Sequence, residues 1–196
     1  MTKRNSIIAI IATLTLLAMS STVSFAGGAT DCKLSLFGVE LKDVKRDDFR
    51  VACKQTGCIP VREDKDYWVD VFEVNGKLKG ASDLHAGFVK ATDSFAFAQY
   101  TFKGFMDTKL VERVIGLVSS KYGRPSSVQG NYGLGPVKAV WDIKGGMMIE
   151  VSRNWPDTTT YLIYVDNAAY SRMDKEIQAM RLEKERVESK AQNAAF

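Results

Sequence analysis

One histidine, His85, and three cysteines, Cys32, Cys53 and Cys58, are the side chains in this 196-residue chain best suited to nucleophilic or metal chemistry. A thiol becomes a strong nucleophile only when a neighbour takes its proton, so a Cys–His pair would have to use His85 as its base. With a single histidine and no CxxC pair, the usual tetrahedral metal donor sets are missing. No metal or cofactor is therefore expected. Carboxylates are more numerous: Asp47 with Asp48, Glu63 with Asp64, then Asp66 and Asp70. Two of them facing each other across a bound sugar would make a glycoside hydrolase. Most, however, fall at a helix start or a turn, where solvated acids are ordinary. The expected reading is a non-enzyme, with a small hydrolase built on these acids or on a Cys–His pair as the alternative.

The stretch GNYGLGP (130–136) has the glycine content of a phosphate-binding loop. Such a loop works by following a strand and opening a helix, whose free N–H groups and positive dipole end receive the anion. Here the sequence leads from a helix towards a strand, GK[ST] is missing, and Pro136 has no donor. A nucleotide site is excluded. What remains is a mobile connection, or a contact loop with Tyr132 and Leu134 as exposed apolar tips.

Aromatic residues in two strand-like runs offer a second contact surface. In DYWVDVFEV (66–74), alternation puts Tyr67, Val69 and Val71 on one face and Trp68, Asp70 and Phe72 on the other. In SFAFAQYTF (94–102), Phe95 and Phe97 share the face opposite Ala96, Ala98, Tyr100 and Phe102. Both faces must be at least partly covered. Trp68, Phe72, Phe95 and Phe97 thus join Tyr132 and Leu134 as candidate binding residues.

The elements that carry these residues occur in a repeating order. FGVEL (37–41) reads as a short strand and RDDFRVACKQTG (46–57) as a helix with acids in its first turn and glycine at its end. Strands follow over 66–74, 83–89 and 94–102. DTKLVERVIGLVSSKYG (107–123) is a second helix, with Leu110, Val111, Val114, Leu117 and Val118 on one face. VKAVWDI, GMMIEVSR and TTYLIYVD then give three more strands, the first two joined by the tight turn KGG. The helix stops Gly57 and Gly123 recur at nearly the same interval as the strand tryptophans Trp68 and Trp141. An α+β protein is expected, with two tandem αβββ units (27–105 and 106–166), an antiparallel sheet, and a C-terminal helix and tail (167–196). In that last segment Tyr170, Met173, Ile177 and Met180 form a helical stripe that fades, so the first turns should dock and the rest project. Arg172–Glu176 and Lys184–Glu188 are spaced to pair along an exposed helix.

Residues 1–26 read as a signal peptide: Lys3 and Arg4, an apolar run over 7–19, then Ser24 and Ala26 at the small-residue cleavage positions. This leader holds two of the 27 basic residues and no acid, so its removal lowers the formal charge from +4 to +2. No basic block interleaved with aromatics remains for nucleic acid, and no second apolar run is long enough for a membrane span. A periplasmic location permits one bridge among the three cysteines. Cys32–Cys58 is the expected pairing and Cys53–Cys58 its rival, which spacing cannot separate.

A helix ending in KYGRPS, a strand containing Trp141, a glycine hairpin and the strand TYLIYV resemble small bacterial envelope domains. These are domains of the SmpA/OmlA type and of the tandem beta-lactamase-inhibitory-protein-like fold. The resemblance implies an antiparallel sheet whose exposed face or loops bind another protein. The expected function is a non-catalytic, periplasmic protein-binding module, either an assembly accessory or an enzyme inhibitor.

Overall fold

The structure is a computed structural model that describes residues 23–24, 33–74, 76, 78–104 and 107–193. Among the described residues the first elements are β1 (Val23–Ser24), which falls inside the stretch read as a leader, and a small hairpin of β2 (Ser35–Leu36) and β3 (Val39–Glu40). Helix α1 (Arg46–Gln55) is followed by four strands: β4 (Ile59–Arg62), β5 (Val69–Glu73), β6 (Ala81–Val89) and β7 (Ser94–Phe102). Helix α2 (Leu110–Tyr122) is followed by four more: β8 (Ser127–Gly130), β9 (Val137–Ile143), β10 (Met147–Arg153) and β11 (Thr160–Asp166). The long helix α3 (Asn167–Asn193) ends the described chain.

Nine strands form one antiparallel sheet in the order β1-β8-β9-β10-β11-β7-β6-β5-β4. Helices α1 and α2 thus each introduce a four-strand meander, and the two meanders join through their last strands, β7 and β11. The expected three strands per unit fall short by one in each half. IPVR and SVQG are short and mostly unburied, so they lack the apolar alternation that marks a strand in sequence.

Helices α1 and α2 cover one face of the sheet. Phe49 and Cys53 of α1, and Val111, Val114 and Val118 of α2, share a single core with residues of both meanders, from Phe72 and Leu84 to Trp141 and Leu162. Along α2 the buried stripe passes through Ile115, while Leu117 is exposed. Trp141, fully buried, donates its indole N–H to the carbonyl of Gly123 at the end of α2. Helix α3 packs on the opposite face with Ala169, Met173 and Ile177 against Val89 and Ala96. Its start is fixed by a side-chain cap. The Asp166 carboxylate accepts the Ala169 N–H at 3.0 Å and the Lys42 ammonium at 2.8 Å. Among the described residues, no helix is long and apolar enough to cross a membrane.

Asp70 is the largest departure from the solvated acids expected. It is fully buried in β5, where Arg46 and Arg50 of α1 each grip both its oxygens over 2.7–3.1 Å. The i,i+4 spacing puts both guanidinium groups on the sheet-facing side of α1, so one carboxylate satisfies two forks.

Candidate functional site

Strand register brings three connections to one rim of the sheet. Arg153, the last residue of β10, lies opposite Val137 of β9 and Thr160 of β11, and Thr160 lies opposite Phe102 of β7. The β8–β9 loop (131–136), the β10–β11 loop (154–159) and the start of the β7–α2 connection therefore meet there. Thr158 reinforces the junction by donating its hydroxyl to the Gly104 carbonyl.

At the centre of this rim the Arg153 side chain is buried, with the residue 1% exposed. Its Nε donates to Gly135 O at 3.2 Å, Nη1 to Thr108 O and Tyr132 O at 2.8 Å each, and Nη2 to Asn131 O at 3.0 Å and Gly135 O at 2.6 Å. Backbone dipoles aimed at a planar, delocalised cation stabilise it without a carboxylate, and the rigid fork fixes the loop in return. Gly130 completes the turn. Its φ is +92°, and a Cβ there would overlap the Pro136 carbonyl oxygen. Only glycine lets the loop ends approach so closely. Asn131 Oδ1 accepts the Gly133 N–H at 2.8 Å, a local turn bond of the Asx kind.

GNYGLGP is consequently a clamped hairpin loop, not a mobile connection, and it follows the short strand β8 instead of leaving α2 directly. It opens no helix. On its fixed backbone Tyr132 is 38% and Leu134 66% exposed. Partial burial, with the Glu112 charge nearby, raises the Tyr132 phenol above its ordinary value. Trp155, 44% exposed, stands beside them with its ring centre 6.0 Å from the Arg153 guanidinium carbon. Sequence reasoning missed Trp155, although RNWPD carries the same signal as NYGLGP: an aromatic next to Gly or Pro between two strands.

The strand aromatics divide differently from the expectation. Phe72 and Phe95 are fully buried, in a ring cluster around Phe49 of α1 with centroid separations of 6.5 and 5.9 Å. Neither can touch a partner. Alternation misplaced Phe95 because β7 has one more residue than β6 between the pairs Gly87↔Phe97 and Phe88↔Phe95. This bulge turns Phe95 to the helix-side core while Phe97 faces α3. Trp68 and Phe97 do lie on the α3 side, but α3 occupies them. The Trp68 indole donates to Glu176 at 2.8 Å, and Phe97 packs edge-on against Tyr170 at 5.8 Å. The Phe97 ring rests over Gly87, where a Cβ would overlap it.

His85 lies in a shallow depression of about 490 Å³ with Ser82, Asp83 and Lys103. Its Nε2 is 3.4 Å from Asp83 Oδ2, and Ser82 donates to the other oxygen of Asp83 at 2.5 Å. The serine therefore gives its proton to a carboxylate and not to the histidine that would have to activate it. Burial would raise the Asp83 carboxyl, but hydrogen bonds from His85, Ser82 and Thr101 outweigh it and hold it at about 2. Cys53 and Cys58 belong to the helix-side core with Leu84. His85, the next residue along β6, points to the other face, so the sheet separates it from both thiols. Cys32 lies outside the described residues. Among the described residues no cluster of three or more His, Cys, Asp or Glu side chains is arranged to hold a metal.

Together these features define an α+β protein with an antiparallel sheet, two helices on one face and a third docked on the other. No family model matches the chain, and no curated protein matches it. Among solved structures it is similar to a DUF4309 family protein, YjgB, from Bacillus subtilis subsp. subtilis str. 168. That likeness has 15% identity and a TM-score of 0.42, and it covers 68% of this chain and 86% of the other.

Proposed function

We propose that the protein is a non-catalytic, protein-binding module of the periplasm, and that it binds through the rim formed by Tyr132, Leu134 and Trp155. One observation carries this reading: three large apolar side chains are presented to solvent around a buried arginine that immobilises the backbone beneath two of them. Aromatic anchors on a preorganised loop lose little conformational entropy on binding, and this favours protein recognition. The partner is a protein of the cell envelope, met after the leader over residues 1–26, and the edge strand β1 with it, has been removed. The serine–carboxylate arrangement beside His85 gives a hydrolase less support.

The test is affinity capture from periplasmic extract with the wild type and a Tyr132→Ala/Leu134→Ala/Trp155→Ala variant. Proteins enriched by the wild type should be lost from the variant, whose thermal transition should stay near normal. Equal capture by a stable variant removes this rim from the binding site. The location is checked by mass spectrometry of the exported protein, which should begin at or very near Gly27. A retained Met1, or a lipid on Cys32, would contradict it.

A further inference from the structure

Helix α1 ends in a paired-bond cap. Gly57 takes φ +89°, its N–H donates to Lys54 O at 2.8 Å, and the Cys58 N–H donates back to Cys53 O at 3.0 Å. These two bonds make a Schellman motif, which folds the second residue after the cap onto the third residue from the end of the helix. That contact is commonly apolar. Here both positions are cysteine, so the cap sets the Cys58 side chain against Cys53. The two residues are 4% and 0% exposed, within the helix-side core. In the unbridged form described here the neighbouring Cys58 thiol, together with burial, pushes the Cys53 thiol far above its ordinary value.

We infer that Cys53 and Cys58 are joined by a disulfide in the exported protein, a covalent staple across the C-terminal cap of α1. The inference rests on the extracytoplasmic reading above, since a bridge persists only in an oxidising compartment. The oxidant is a disulfide, either low-molecular-weight or carried by a protein. One cysteine thiolate attacks it, forming a mixed disulfide and releasing one thiol. The second cysteine then attacks its neighbour's sulfur in that mixed bond and expels the second thiol. In sum two thiols lose two protons and two electrons, and the oxidant's disulfide becomes two thiols. Exchange happens before α1 packs on the sheet, because the folded core admits no reagent. The same burial makes the pair a structural bridge and not a catalytic one. Cys32 is left as the unbridged thiol, which reverses the pairing expected from sequence.

Lys54 lies between the two cysteines, so trypsin separates them into peptides 51–54 and 55–62. A non-reducing digest of exported protein, alkylated after unfolding, should yield these two peptides cross-linked and the Cys32 peptide alkylated. Protein made in a reducing cytoplasm, then refolded with oxidised glutathione, should give the same cross-link. In both preparations reduction in denaturant, followed by refolding with the thiols kept reduced, should lower Tm by roughly 4–8 °C, and the Cys53→Ser/Cys58→Ser variant should show no such response. A cross-link between the Cys32 peptide and 55–62 in either preparation overturns the inference. So does alkylation of all three cysteines in the glutathione-refolded protein. If the bridge forms there but is missing from protein recovered from cells, the staple stands and the periplasmic reading fails.

Discussion

Asp70 shows how much one residue decides in this fold. Burial alone would raise its carboxyl, but hydrogen bonds from Arg50 and Arg46, with their charges, outweigh it and hold the carboxyl below the ordinary value. Replacing Asp70 by Asn would leave two buried arginines facing a neutral amide. Such a change should cost about 3–5 kcal/mol, read as a lower urea midpoint at unchanged slope. A loss under about 1 kcal/mol would mean that water reaches the two guanidinium groups. The i,i+4 arginines were visible in RDDFR, but their partner was not, because it lies 24 residues away from Arg46. Asp70 shares a strand face with Phe72, and that parity was the available signal.

Asp83 sets an acid limit of its own. Its folded value of about 2 lies below the ordinary carboxylate range. Its stabilising contribution is therefore complete above pH ~4 and disappears as pH falls through ~2. An Asp83→Asn variant should accordingly lose less stability than the wild type between pH ~4 and ~2. Parallel acid-unfolding curves for the two proteins would show that Asp83 is not coupled to folding. The side chain is a quarter exposed, and solvent screening keeps the effect small.

Among the elements, α3 best illustrates what periodicity can and cannot reveal. The stripe Met173, Ile177 and the fading at Met180 were legible: the first two are buried, and Met180 is 48% exposed. The anchor was not. Glu176, expected to pair with Arg172, instead accepts the Trp68 indole and the backbone N–H groups of Lys90 and Ala91 at 2.8, 2.8 and 3.1 Å. A carboxylate that caps a distant β-turn leaves no mark in local spacing. The β7 bulge is hidden for a similar reason, since one extra residue reverses a face without changing composition. No described residue beyond Ile177 is buried in α3. Truncation after Arg181 should thus change stability by no more than about 1 kcal/mol. Glu176→Ala should cost about 1–2 kcal/mol by removing three hydrogen bonds to one carboxylate. Calorimetry that ranks these two changes in the opposite order would show that the distal helix, and not the anchor, holds α3 in place.

For the whole molecule the decisive feature is the seam between β7 and β11. Six consecutive pairs, from Thr160↔Phe102 to Val165↔Phe97, make the two meanders one sheet, and one helix-side core runs beneath both. The α+β class and the antiparallel sheet were legible from strand and helix periodicity. Which strands met at the centre was not. The partners β7 and β11 are far apart in the chain, and they carry no complementary pattern that local reading detects. A continuous sheet and core should unfold as a unit. Trp68 reports on the first meander and Trp141 on the second, so two variants, each retaining one of them with the other tryptophans replaced by Phe, provide separate probes. Their urea midpoints should coincide with each other and with the loss of far-UV circular dichroism. Separate midpoints would mean that the seam yields before either core and that the halves fold as independent units. If the midpoints coincide, hydrogen exchange should find the amides of β7 and β11 among the slowest, since neither strand can open without breaking the sheet at its centre.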